Sequence, residues 1–346
     1  MRQKAAAIGQ GPPIVAGTGT LIHDATVDFD GNVWFTDPYS PIPGRTVGKI
    51  DGVTGEMKPF AIPGDAPGST ARSHAIITAR DGTIWFNVMM VGKGGADPIA
   101  DGGLGCIDPR TNETKLYRVP KGMPGVGGWI NEDGHGNIWT SAGGYRGGEG
   151  AWLFDRKTRQ FRQFRSLREG MTYGVAGDAS GNGWWAQINN DVVGYVELPA
   201  GKVGELQIPF SWQGAPFLKP GDMSEQEYFE TSVGVGGVRG GAQMPRRLKG
   251  DLNGDDVWVA NYSGNNLMRI NSTSKKTTYY PAPEFGMAVY DVGIDHLHRV
   301  WVGLQNGDEI PASSTRIRAP GPSIRCRPGC ECSQPCGGRV EGGPKS

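Results

Sequence analysis

Apolar and polar positions along this chain repeat one figure: an apolar stretch, a polar turn, then an apolar stretch carrying tryptophan. It occurs as DFDGNVWFTD (28–37), TARDGTIWFN (78–87), EDGHGNIWTS (132–141), GDASGNGWWA (177–186), LNGDDVWVAN (252–261) and DHLHRVWVGL (295–304). The tryptophans are Trp34, Trp85, Trp139, Trp184, Trp258 and Trp301, spaced by 51, 54, 45, 74 and 43 residues. Apolar runs on both sides of a D-G or N-G turn, as around Asp30 and Gly31, read as a hairpin. A second element follows each of the first three: KIDGVTGEMKPFAIP (49–63), CIDPRTNETKLYRVP (106–120) and LFDRKTRQFRQFRSL (153–167). In it, Asp51 with Thr54, Asp108 with Thr111, and Asp155 with Thr158 can bond the backbone of their own turn. Pro63, Pro120 and Pro209 lack a donor and close their strands.

Four short antiparallel strands about every 45 residues is the rhythm of a propeller blade. The pattern predicts an all-β chain, a β-propeller of four-stranded blades over residues 23–310, with residues 1–22 as an extension or partial blade. A β-sandwich also has short strands and turns, but it does not explain tryptophan and Asp turn recurring in phase. Helical periodicity is almost absent. The tryptophans read as blade packing rather than ligand stacking.

Two segments break the rhythm. The long interval holds residues 210–245, read as an insertion looping over one face. After Ile310 the sixth unit lacks its second element, and four of the five cysteines crowd into residues 311–346. Cys326, Cys330, Cys332 and Cys336 could form a metal knuckle, although they lack paired C-x2-C hooks. The favoured reading is a frameshift: STRIRAPGPSIRCRPG (314–329) can be back-translated so that the neighbouring frame encodes FDPDPGAWTEYPLPSR, which fits the missing element. The tail is thus expected to be non-native or disordered.

Composition narrows the function classes. Of 346 residues, 57 are glycine and 25 proline, while 35 basic residues balance 35 acidic ones. That balance points away from nucleic acid and from acidic membrane surfaces. No apolar run is long enough for a membrane-spanning helix, and the first twenty residues lack the continuous apolar core of an export signal. GGYRGGEG (143–150) is not a phosphate loop, because no helix follows it. Cys106 reads as a small buried strand residue.

The pattern HxxxxxxDGxVWFT followed by a K-I-D-x-x-T-G element resembles the virginiamycin B lyase (streptogramin lyase) family. The resemblance covers about residues 23–310 and is strongest in the first three units. It implies a seven-bladed propeller, so that about six blades would be present here and the ring would be open. An open ring implies exposed blade faces and poor solubility, and a monomer only where the ring closes. Family members open a cyclic depsipeptide by elimination, with a base, a bound Mg²⁺ that polarises the ester carbonyl, and a departing alkoxide. The family's motif has a His opening a blade's inner hairpin, an acid fourteen residues on, and a second His opening the neighbouring blade.

On this sequence the motif falls on His23, Asp37 and His74 as catalytic candidates, with Asp37 as ligand to a Mg²⁺ cofactor. The acid is Asp rather than Glu, and it sits in the first of the two His-bearing blades rather than the second. The same slots in the other units are Gly128/Ala142, Tyr173/Gln187, Arg247/Asn261 and Tyr290/Leu304. Of these, Tyr173, Gln187, Arg247 and Asn261 are the expected ligand-binding residues. Arg246 and Arg247 suit a carboxylate or other anion. The expected function is a metal-assisted lyase acting on a small-molecule or peptide-like ligand in the central funnel. The alternative is a non-catalytic ligand-binding propeller, a module of a larger exported protein. A calcium-dependent lactonase ranks third, since only Asp37 and Asn261 offer oxygen ligands at the rim.

Overall fold

The computed structural model describes residues 22–38, 47–60, 71–91, 98–143, 150–209, 243–282, 288–305 and 315–317. They form six antiparallel sheets in chain order. The first holds β1 (Asp24–Val27), β2 (Val33–Thr36), β3 (Val47–Ile50) and β4 (Met57–Phe60). The second holds β5 (Ala71–Arg72), β6 (Ile76–Thr78), β7 (Ile84–Val91), β8 (Pro98–Ile107) and β9 (Thr114–Arg118), with β5 and β6 both paired to β7. The third runs through β10 (Val126–Glu132), β11 (Ile138–Ala142), β12 (Ala151–Asp155) and β13 (Gln160–Phe164). The fourth has β14 (Thr172–Gly177), β15 (Gly183–Gln187), β16 (Val192–Glu197) and β17 (Lys202–Gln207). The fifth has β18 (Pro245–Gly250), β19 (Asp256–Asn261), β20 (Asn266–Asn271) and β21 (Thr277–Pro281), and the sixth β22 (Ala288–Ile294), β23 (Val300–Gln305) and β24 (Thr315–Ile317). Each sheet packs on the next, and β1, β6, β10, β14, β18 and β22 supply the inner edge. The fold is a β-propeller of about six blades. No helix among the described residues is long and apolar enough to cross a membrane.

The recurring tryptophan is locked inside its own hairpin. Trp34, Trp139, Trp184 and Trp301 each donate Nε1–H to an Asp six residues earlier: Asp28 at 2.8 Å, and Asp133, Asp178 and Asp295 at 3.0 Å. The same carboxylates take backbone amides of the turn, as Asp178 does from Ser180 and Asn182. In the second sheet Ala79 stands where the Asp would be, and Trp85 instead donates to Thr83 Oγ1 at 2.8 Å. The Asp turns of the second element form as well: Asp51 takes Val53 and Thr54 amides, and Asp155 takes those of Lys157 and Thr158. Tryptophans and β-branched residues from facing sheets fill the space between blades, as Trp139, Val175 and Trp185 do between the third and fourth.

The tail differs from expectation in one respect. Thr315–Ile317 pairs with Val300–Val302 as β24, so part of 311–346 completes a third strand where no strand pattern was read. The four clustered cysteines and residues 1–21 lie outside the described residues, as does 210–242. At the end of the expected insertion, Gln243 and Met244 already anchor to Asp191 through their amides, at 3.0 and 2.8 Å.

Among the described residues the first and sixth sheets each pack broadly on one neighbouring sheet. In β1, Asp24 and Thr26 face the second sheet, where Asp24 Oδ2 accepts the Ile76 amide and Thr26 bonds Thr78. Val27, pointing the other way, is 57% exposed. Among the described residues no broad contact joins the first sheet to the sixth.

Candidate functional site

The inner strands bring His23 and His74 together. Asp24 pairs with Thr36 and the His23 amide donates to Thr36 O at 2.9 Å, so His23 stands level with Asp37 across the hairpin, as the spacing predicts. Asp37 is fully buried at the end of β2. Asn87 Oδ1 fixes the chain at His74 by accepting the amides of His74 and Ala75 at 3.0 and 2.7 Å. His23 Nδ1 lies 3.0 Å from His74 O, and His74 Nδ1 lies 2.7 Å from Gly128 O. A carbonyl only accepts, so each Nδ1 carries the hydrogen and each Nε2 the lone pair. The two ring centroids are 3.6 Å apart. Burial holds both imidazoles neutral, pushing His23 down to about 4 and His74 to about 3. The charges of Arg247 and Arg246 push the same way. His23 is half-buried, and no partner meets its Nε2 among the described residues.

Opposite this pair lies a group of arginines and aromatic rings that only the fold assembles. The Arg247 guanidinium lies 3.7 Å from the centre of the Trp129 ring and donates to Asp291 at 2.6 Å. Arg246 lies 4.8, 4.9 and 4.3 Å from the ring centres of Tyr173, Tyr262 and Tyr290. Tyr173 and Tyr290 hydroxyls are 3.2 Å apart. Below them Asn131 spans the axis, donating to Val175 O and Leu248 O at 2.7 and 3.0 Å and accepting from Lys249 Nζ at 2.6 Å.

The cause of this convergence is a set of β-bulges. Register shifts fall between Val126 and Ile130, Thr172 and Val175, Pro245 and Leu248, and Val289 and Asp291. Each contains a slot residue: Gly128, Tyr173, Arg247 or Tyr290. A bulge frees a residue from the ladder and re-aims its side chain. In β18 it lets the neighbours Arg246 and Arg247 both approach the Tyr290 ring.

Tyr173 and Arg247 therefore belong to the group on the axis, whereas Gln187 and Asn261 are engaged elsewhere. Gln187 donates to Arg168 O at 3.1 Å and accepts from Asn190 at 2.9 Å. Asn261 donates to Asn266, which in turn reaches Gln243 and Gly264. Both are buried ties that hold loops to their sheets. The sequence reading did not single out Asp24, whose carboxyl burial pushes up to about 7 against the pull of Arg247. Its signal was its place beside His23.

Mg²⁺ requires several oxygen ligands, and among the described residues no three of His, Cys, Asp and Glu are arranged to hold a metal. Arg246 and Arg247 bring two positive charges to the axis, where Asp291 pairs with Arg247, and burial pushes the Lys249 ammonium down.

No family model matches the chain, and no curated protein matches it. Solved structures do resemble it. Virginiamycin B lyase from Staphylococcus aureus is 17% identical, covering 82% of this chain and 77% of that one, with a TM-score of 0.56. A streptogramin B lyase is 17% identical over 83% of this chain and 78% of that one, with a TM-score of 0.57. At this identity the likeness establishes the β-propeller fold shared with those lyases.

Proposed function

We propose that this propeller acts on a small carbonyl compound bound at its axis, by a lyase-type elimination in which His23 is the base. One observation carries the reading: the backbone carbonyl of His74 fixes the His23 tautomer and leaves the lone pair on Nε2. Nε2 would take a proton from the carbon next to a carbonyl. The pair of the broken C–H bond becomes a double bond, and the adjacent C–O bond breaks with its pair going to the departing oxygen. The guanidinium charges of Arg246 and Arg247 would stabilise the negative charge that develops on the carbonyl oxygen. No step requires a metal.

The structural likeness to streptogramin B lyase suggests the assay. Incubation with virginiamycin B, followed by mass spectrometry, should yield a ring-opened product of unchanged mass; hydrolysis would add one water. His23→Ala should abolish it, and chelation by EDTA should not. Intact antibiotic after prolonged incubation would overturn the catalytic reading for that substrate. The second reading is a ligand-binding propeller without chemistry. It is favoured by the low basicity of His23, well under the value that best serves a base at neutral pH.

A further inference from the structure

We infer that Arg246 is the seat for the carboxylate of an apolar or aromatic small molecule. The inference rests on the axis being a ligand site, as proposed above, but not on any reaction there. Arg246 is 8% exposed, and among the described residues its side chain meets three tyrosine rings and no carboxylate. Its Nε is buried with no acceptor. Its neighbours do have polar partners: Arg247 donates to Asp291 at 2.6 Å, although its Nε is likewise unmet, and Lys249 donates to Asn131 at 2.6 Å. A buried guanidinium nitrogen without an acceptor is costly unless something supplies one. Ring faces offset only part of that cost.

The surroundings define what would fit. The planar fork of arginine matches a carboxylate bidentately. Tyr173 and Tyr290 share one hydroxyl hydrogen in the bond between them, so the other remains to donate. That makes a seat for one negative charge rather than for a phosphate dianion, which needs more donors. The rings of Tyr173, Tyr262 and Tyr290 would take the apolar body. His23, whose imidazole feels the charge of Arg246, reports on occupancy: neutralising that charge raises the His23 pKa.

Benzoate is the probe, with benzamide as its neutral isostere and inorganic phosphate as the dianion, all titrated into the full chain. Benzoate should raise the melting temperature and raise the His23 pKa read from its ring proton by NMR; benzamide and phosphate should do neither. Arg246→Met should weaken benzoate by about tenfold or more, and should itself raise the His23 pKa. Arg246→Lys keeps the charge without the fork and should fall between, which preserves the test if the Met variant does not fold. Equal binding of benzoate and benzamide, or undiminished benzoate affinity in both variants, would overturn the inference. Benzoate binding in a protein that opens no substrate leaves this inference standing and overturns only the catalytic reading. His23-dependent turnover without benzoate binding does the reverse.

Discussion

Single residues set the protonation state of the axis. His74 is 3% exposed and burial pushes its imidazole down to about 3 from 6.5. Above pH 6.5 the folded and unfolded chains both keep it neutral. As pH falls below 6.5 the unfolded chain takes up a proton that the folded chain refuses, so stability is lost until the folded group titrates near 3. His23, pushed to about 4, adds to the same trend. His74 alone should cost about 1.4 kcal/mol per pH unit below 6.5. The urea midpoint should therefore fall from about pH 7 to about pH 4, with a flatter fall in His74→Gln. An unchanged slope in that variant would contradict the assignment. The level placement of His23 and Asp37 was legible because the first hairpin pairs without interruption. A fixed ruler misplaced Gln187, because the bulge at Tyr173 pairs Gln187 with Thr172 instead. The Arg246 cage was legible in part: Tyr173 and Tyr290 fall in the slots set by the repeat, whereas Tyr262 does not and joins them only in the fold.

At the scale of the hairpin, the lock between Asp and Trp gives each unit its shape. Asp178 is 1% exposed and accepts from two backbone amides, the Asn182 amide group and Trp184 Nε1. Asp178→Ala would leave those donors buried and unmet, at a cost of about 3 kcal/mol. Urea denaturation should show that loss, and a midpoint within error of the parent would rule the lock out as a source of stability. The lock was readable in principle, since DFDGNVW, DGHGNIW, DASGNGW and DHLHRVW share an Asp six before the tryptophan. Close packing of strand on strand was less so. The Trp185 ring lies against Gly194, where an added Cβ would meet it at 2.2 Å, so Gly194→Ala should destabilise the fourth sheet by about 1–3 kcal/mol in the same measurement.

For the whole molecule, the arrangement of sheets predicts where it opens first. The fourth sheet is flanked on both sides, whereas among the described residues the sixth has three strands and packs broadly only on the fifth. Local opening is easiest where buried contacts are fewest. In hydrogen exchange the amides of 288–305 should exchange before those of 172–207, and simultaneous exchange would show a single cooperative unit. The propeller was legible from the sequence because its repeat is local; whether the first and last sheets meet depends on geometry summed over every unit.

The side-chain bond of each Asp–Trp lock lies within one hairpin. A gene encoding such a chain can therefore duplicate or delete one unit and carry that unit's lock with it. Blade number becomes a variable that ancestry can change in whole steps, while the residues at the axis must be found anew each time the circle is redrawn.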